Sequence, residues 1–256
     1  METRREKRIN KLAQALKKAD KLHLKDAAQL LGVSEMTVRR DLNTRPDSVL
    51  LLGGYVVNGL KNNSPSRYFV SEQQTKHAAE KRIVGEIAAS LIEANDTVFF
   101  DCGTTTSYII EAIPHELPFT SICYSLNTFL ALQEKPNNKV ILCGGEFHPD
   151  SAIFTPLSQC NGMDHICPNK AFISAAGIDL DVGATCFNFA ELSMKQRALA
   201  MSQRAILVVD SRKFDQRKPA RIGPFSLFDT LITDRQPTEN YTHYCSNNGI
   251  VLLTQH

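Results

Sequence analysis

Apolar residues recur along this chain with two different periods, and the change of period divides it. Between residues 3 and 19, Ile9, Leu12, Ala13 and Leu16 fall at helical spacing among arginines and lysines, which predicts an amphipathic helix. Ala28, Gly32 and Val38 then stand four and six residues apart. A small residue where two helices approach, a glycine at the turn and a branched apolar residue that packs the second helix on the first make the skeleton of a helix-turn-helix. Ser34, behind the Gly32-Val33 turn, suits the N-cap of the second helix. With Val38 turned inward and about 100° per residue, Leu42 stays near the core face. Met36, Arg40 and Asn43 then fall opposite, flanked by Thr37 and Arg39. The run V-L-L-L-G-G-Y-V-V at 49–57 reads as two short strands around Gly53-Gly54, a hairpin. Directly behind such a helix it serves as a wing against DNA, as a closure of the small core, or as both.

After N-G-L-K-N-N-S-P-S at 58–66, a polar and turn-rich stretch, the pattern changes. The division predicted is a head of residues 1–57, a linker of 58–75 and a second domain of 76–256. Ala79, Ile83, Val84, Ile87, Ala88 and Leu91 keep helical spacing, and T-V-F-F-D follows at 97–101. Strand-like apolar runs recur at 119–124, 139–143, 171–175, 205–209 and 229–233, with helical stretches around 108–112, 126–133 and 190–203. Short apolar strands separated by helices predict an α/β fold with a mostly parallel sheet.

Charge sharpens the division. Residues 1–45 carry 12 Lys+Arg against 6 Asp+Glu, while the rest of the chain carries 17 against 21. A basic end on a slightly acidic body fits a phosphate-binding module attached to something else. Apolar residues make up 43% of the chain, enough for a sizeable core, and no stretch approaches the roughly 20 apolar residues of a membrane span. The basic start is not followed by an apolar run, so no signal peptide is expected. Seven cysteines, an odd number without a C-x-x-C pair, fit a reduced, cytoplasmic protein better than a disulfide framework. Cys160, His165 and Cys167 are the one loose cluster, and no metal site is expected there.

In parallel sheets, ligands bind outside the carboxyl ends of the strands. Those ends carry D-C-G-T-T-T at 101–106, Y-S-L-N at 124–127, C-G-G-E at 143–146 and D-S-R-K-F at 210–214. Gly103 lets backbone approach an anion, and three threonines with the next helix start can bond phosphate oxygens; glycine and threonine after strands also simply make turns. Asp210 and Lys213 would suit a polyol phosphate, carboxylate on hydroxyls and ammonium on phosphate, or act as base and electrophile. Glu191 and Lys195 stand one helical turn apart, either in the site or as a surface pair worth a few tenths of a kcal/mol.

The segment V-S-E-M-T-V-R-R-D-L at 33–42 resembles the V-S-x-x-T-[IV]-R-R-D-L signature of the DeoR family of bacterial sugar-responsive transcription regulators. D-C-G-T-T-T, Gly144-Gly145, the E-x-x-x-K of 191–195 and D-S-R-K-F extend the resemblance over nearly the whole chain. It implies a winged helix-turn-helix followed by an α/β sensor domain related in fold to ribose 5-phosphate isomerase. The DNA-facing residues it implies, with the helix projection, are Lys25, Ser34, Glu35, Met36, Thr37, Arg39, Arg40 and Asn43. The effector-binding residues are Asp101, Gly103, Thr104, Thr105, Thr106, Ser125, Asn127, Gly144, Gly145, Lys195, Asp210 and Lys213. Within the family, L-H-L-K-D-A-A, F-F-D-C-G-T-T-T and C-Y-S-L-N-T-F-L-A-L are similar to a regulator of deoxyribose and nucleoside catabolism. The resemblance therefore implies a repressor that deoxyribose 5-phosphate releases from operator DNA, with no cofactor, no catalytic set and no membrane. A homo-oligomer is expected, because one helix-turn-helix reads only a half-site. Glu191-Leu192, where many members have E-A, and Cys102, where Ser is frequent, bear on ligand choice. The alternative is a sugar-phosphate isomerase-like enzyme with a nucleic-acid-binding head.

Overall fold

The computed structural model describes residues 3–16, 21–43, 49–52, 54–58, 77–157 and 162–255. Gly53, Cys160, the predicted extension of the first helix over 17–19 and the predicted linker beyond Asn58 lie outside them; of Asn43 the backbone alone is described. Two compact units divide the chain, residues 1–75 and 76–256.

The first unit runs α1 (Arg4–Ala15), β1 (Lys21–His23), α2 (Leu24–Leu31), α3 (Glu35–Asn43), β2 (Val49–Leu52) and β3 (Tyr55–Asn58). Thr3 and Glu6 close a reciprocal capping box at the start of α1, which satisfies amide groups the first turn leaves open. Gly32 ends α2 in the left-handed region at φ 65°, and Val33 N–H returns to the Ala28 carbonyl. Ile9, Leu12 and Leu16 of α1 meet Leu24, Ala27 and Ala28 of α2, Val38 and Leu42 of α3, and Val49, Leu51 and Val56 of the hairpin in one core. Burial of each larger side chain contributes roughly 1.5–3 kcal/mol. The hairpin joins β1 in an antiparallel sheet of order β1-β3-β2, so it is a wing by position and also closes the core.

The second unit is a doubly wound α/β fold. β4 (Thr97–Phe100), β5 (Phe119–Cys123), β6 (Asn138–Leu142), β9 (Lys170–Ser174), β12 (Arg204–Val208), β14 (Thr230–Ile232) and β15 (Val251–Leu253) form one sheet. Its order is β15-β14-β12-β9-β4-β5-β6, with every pairing parallel. Alternate strand residues serve opposite faces, which is why the strands read as unbroken apolar runs. Val98, Phe100, Phe172, Ile206, Val208 and Ile232 pack under α4 (Ala78–Ala89), α5 (Thr104–Ala112) and α6 (Leu126–Leu132). Phe99, Ile122, Ala171, Ile173, Leu207 and Leu231 pack against α7 (Leu192–Met201) and α8 (Glu239–Asn247). The second face also carries a smaller antiparallel sheet of β10 (Gly177–Asp179), β11 (Gly183–Cys186) and β13 (Ala220–Gly223). A hairpin of β7 (Glu146–His148) and β8 (Ile153–Thr155) follows β6. The chain fills the sheet outward from β4 in one direction through β6, then from β9 in the other. The order therefore reverses between β4 and β9, where a crevice forms at the carboxyl ends.

Three sequence expectations change here. The helix expected around 108–112 begins at Thr104, so the three threonines form its first turn instead of a free loop. The predicted 190–203 helix is a 3-10 turn, Phe189–Glu191, followed by α7. The small sheet, the β7–β8 hairpin, β1, β15 and α8 were not expected from the pattern.

Candidate effector site and DNA-reading surface

In the head, Ser34 accepts the Thr37 N–H at 3.2 Å and its hydroxyl lies 3.0 Å from the Thr37 hydroxyl, so it caps α3 as anticipated. Met36 is 66% exposed. Lys25, Glu35 and Arg40 are exposed, and Thr37 and Arg39 half-buried. The aspartate of the R-R-D-L signature has another task. Asp41 is buried; Arg8 Nε of α1 donates to its carboxylate at 2.6 Å and Arg5 Nε to its carbonyl at 3.1 Å. The carboxylate in turn raises the Arg8 pKa through that hydrogen bond. The acidic residue thus fixes the pose of α3 while Arg40 before it in the signature faces outward and Leu42 after it packs in the core.

In the α/β unit, β4 ends at Phe100 and delivers Asp101 into the crevice at the switch point. Asp101 is fully buried. Tyr124, just past β5, donates its hydroxyl to Asp101 Oδ1 at 2.8 Å; Ser174, at the end of β9, donates its N–H at 2.8 Å and its hydroxyl at 2.5 Å to Oδ2. Lys195 Nζ pairs with the same oxygen and also meets the Ser174 carbonyl at 3.1 Å and Glu191 at 3.4 Å. Lys195 is 1% exposed, which rules out the surface-pair alternative for Glu191 and Lys195. Burial pushes the Asp101 carboxyl up, but the Lys195 charge and the hydrogen bonds from Lys195, Ser174 and Tyr124 outweigh it and hold the carboxyl below its ordinary value. Burial likewise works against the Lys195 ammonium, and Asp101 and Glu191 overcome it, raising its pKa well above the usual lysine value. Burial raises the Glu191 carboxyl in spite of Lys195.

Gly103 stands where a Cβ would come within 2.0 Å of Ser174 Oγ, so only glycine lets the chain turn beside β9 into α5. That helix starts without a side-chain cap. Thr105 and Thr106 are buried in its first turn. The hydroxyls of Thr106 and Ser125 and the Asn127 Oδ1 are buried without a hydrogen-bond partner among the described residues. Such groups cost free energy unless something bonds them.

Asp210, past β12, is 1% exposed; it accepts the Arg212 N–H at 3.2 Å and pairs with the Arg212 guanidinium at 3.1 Å. Burial raises its pKa against the pull of Lys213, and burial lowers that of Lys213 against the pull of Asp210. Gly144 and Gly145 are exposed beyond the edge strand β6. A Cβ on Gly145 would come within 1.9 Å of the Thr155 carbonyl oxygen, so this glycine serves the β7–β8 hairpin. Sequence reasoning missed Tyr124 and Ser174 as partners of Asp101, and it missed Lys81. Lys81 of α4 is 4% exposed and its Nζ donates to the Thr104 hydroxyl at 2.8 Å. Its place on the apolar stripe of its helix, with Val84, Gly85 and Ala88, was the available signal. Among the described residues, no group of three or more His, Cys, Asp and Glu is arranged to hold a metal ion. No described helix is long and apolar enough to cross a membrane.

Comparison with known proteins gives these surfaces a context. Residues 8–59 match the DeoR-like helix-turn-helix domain, and residues 76–235 match the DeoR C terminal sensor domain. The chain is 53% identical to the deoxyribose operon repressor of Escherichia coli over 253 residues, 99% of this chain and 100% of that one. It is 24% identical to the glycerol-3-phosphate regulon repressor of Escherichia coli, over 96% of this chain and 97% of that one. Among solved structures, a ribose 5-phosphate isomerase from Plasmodium falciparum is similar at 19% identity and a TM-score of 0.38, over 52% of each chain; no function follows from a likeness at that level. An end-to-end match to a repressor removes the enzyme alternative. With one profile over the head, another over most of the α/β unit and a repressor matched along its full length, the chain belongs to the DeoR family of helix-turn-helix transcription regulators.

Proposed function

We propose that this protein represses genes of deoxyribose and nucleoside catabolism and that deoxyribose 5-phosphate releases it from its operators. The observation that carries this reading is the 53% identity, over 99% of the chain, to a repressor of a deoxyribose operon. The hydroxyls of Thr106 and Ser125 and the amide oxygen of Asn127, buried at the carboxyl edge of the sheet without partners among the described residues, support a hydroxylated ligand. The amino end of α5, lacking a side-chain cap, supports an anionic one. In this reading Asp101 and Lys195 brace the pocket while Gly103 to Thr106, Ser125, Asn127, Asp210 and Lys213 line it. Gly145 contributes by holding the hairpin beside it, whereas a Cβ on Gly144 would meet nothing within 4 Å among the described residues.

Residues 1–57 bind DNA, the 58–75 segment links them to the sensor, and the protein works in the cytoplasm. Lys25, Ser34, Glu35, Met36, Thr37, Arg39, Arg40 and Asn43 face the operator. Specific sites pair two half-sites about 34–36 Å apart or a multiple of that spacing, so the working form is a homo-oligomer. Release needs an effector that favours the DNA-free conformation; shifting 1:99 to 99:1 takes about 5.5 kcal/mol of differential affinity. The test is a thermal-shift panel of pentose and hexose phosphates, followed by operator binding with and without each compound. Deoxyribose 5-phosphate at 100 times its Kd adds about 2.7 kcal/mol of stability and frees the operator. No shift with it, and none in operator affinity, would remove the assignment; light scattering that finds a monomer with full operator affinity would remove the oligomer.

A further inference from the structure

Lysine is an expensive choice for the inward stripe of a helix, because its ammonium must leave water. Lys81 takes that place on α4, buried beside Val84, Gly85 and Ala88. Burial draws its pKa down to about 8; Asp210 opposes the shift and Lys213 adds to it. Its Nζ is anchored to the hydroxyl of Thr104, the first residue of α5. Two ammonium groups and the Asp210 carboxylate, which also meets Arg212, therefore act on one another in a desolvated corner at an uncapped helix start. Beside it the Thr106 hydroxyl, 1% exposed, has no hydrogen-bond partner among the described residues. A methionine would fill the stripe at lower cost, so the ammonium has a use outside packing.

We propose that Lys81 is the phosphoryl anchor of the effector pocket, closing with Lys213 on a phosphate dianion seated at the amino end of α5. Asp210, paired with Arg212, offsets part of the charge of both ammonium groups until the dianion arrives. This rests on the sugar-phosphate reading above and adds a residue to it, together with a consequence for pH. Among the described residues, the charged groups that act on Lys81 include Asp210 and Lys213 from the segment after β12 and Glu80 on its own helix; Asp234, after β14, and Arg212 act in turn on Asp210. A bound dianion restores the favourable surroundings that burial removed, so the complex keeps Lys81 protonated where the free protein has begun to shed the proton. Binding then takes up protons above about pH 8, and affinity falls as pH rises through that value. Below it the ammonium is already charged, and affinity stays level until the phosphate itself takes a proton near about pH 6. For folding, the folded pKa lies below the ordinary 10.5, so Lys81 lowers stability fully below about pH 8 and less as pH rises toward 10.5.

The experiment is titration calorimetry of the full chain with deoxyribose 5-phosphate, inorganic phosphate and unphosphorylated deoxyribose. It is run between about pH 7 and 9 in buffers of different ionisation enthalpy, which reads proton uptake directly. The wild type is expected to take up protons near pH 9 with the phosphorylated sugar. Lys81→Met should lose about tenfold or more in affinity for it, lose the proton uptake, and melt no lower than the wild type at neutral pH. Lys81→Arg, whose charge does not titrate in this range, should keep binding with a level pH profile above 8 and decides the matter if Lys81→Met folds poorly. Wild-type affinity or unchanged proton uptake in Lys81→Met would overturn the anchor while leaving the effector reading intact. A wild type that binds no sugar phosphate would overturn both.

Discussion

The ammonium of Lys195 donates to Asp101 and the Ser174 carbonyl and faces the Glu191 carboxylate at 3.4 Å. The pair with Asp101 is buried on both sides, and the loss of one partner leaves an uncompensated charge that typically costs about 3–5 kcal/mol. Lys195→Met or Asp101→Asn should therefore each lower the free energy of unfolding by several kcal/mol in denaturant titrations. The double variant should recover part of that loss, because neither charge remains; additive losses would mean that the two residues do not act as a pair. Failed induction in a Lys195 variant alone would thus speak of folding as much as of ligand. This is also the limit of what was legible at the residue scale. Strand-end position singled out Asp101, and helical spacing from Glu191 with the family resemblance singled out Lys195, but the partners that make them a brace, Tyr124 and Ser174, lie 23 and 73 residues from Asp101 in the chain. No local spacing links them. Lys81 escaped because a charged residue amid an apolar stripe is normally read as the solvated edge of that stripe.

At the scale of elements, the readable parts had strong periodicity. The inner parallel strands are largely buried on both faces, and they and the edge strand β6 appeared as apolar runs within a residue or so of their observed limits; the other edge strand, β15, did not. The missed elements are short or made of residues with weak preferences. β10 and β11 begin at Gly177 and Gly183 and hold three and four residues, too few for a period to show. α8 reads E-N-Y-T-H-Y-C-S-N, nearly all weak helix formers; packing of Tyr241 and Cys245 against the sheet decides its structure. α3 was legible because both of its faces obey one rule: Val38, Asp41 and Leu42 are buried, while Met36 and Arg40 are exposed. That division separates two kinds of variant. Arg40→Ala should leave the melting temperature of the head unchanged, cost roughly 1–3 kcal/mol in operator binding and relax the preference at one base pair, if its guanidinium reads a guanine. Arg8→Ala touches no predicted DNA contact, yet it frees Asp41 and should weaken binding to every operator sequence alike by loosening α3. Gel-shift titrations on a set of single-base operator variants separate the two, and a uniform loss for Arg40→Ala would remove it from base reading.

For the whole molecule, the two units must share free energy if one senses and the other binds DNA. Coupling of that kind is reciprocal: the factor by which effector weakens operator binding is the factor by which operator weakens effector binding. The basic first 45 residues, with 12 Lys+Arg against 6 Asp+Glu, make operator binding salt-dependent through counterion release, so both legs must be measured at one ionic strength. Deoxyribose 5-phosphate titrated calorimetrically into the free protein and into the protein saturated with operator should give two dissociation constants. Their ratio should equal the ratio of operator affinities measured by anisotropy without and with saturating sugar phosphate. Effector binding that is abolished in the operator-saturated protein, rather than weakened by that finite factor, would mean that the sugar competes with DNA in the head; equal effector affinities, with operator affinity unchanged by the sugar, would mean that the two sites are not coupled. Lys81→Met discriminates further. A substitution confined to phosphate contact raises both effector dissociation constants by the same factor and leaves their ratio intact, whereas one that also biases the conformational equilibrium changes operator affinity in the absence of any ligand.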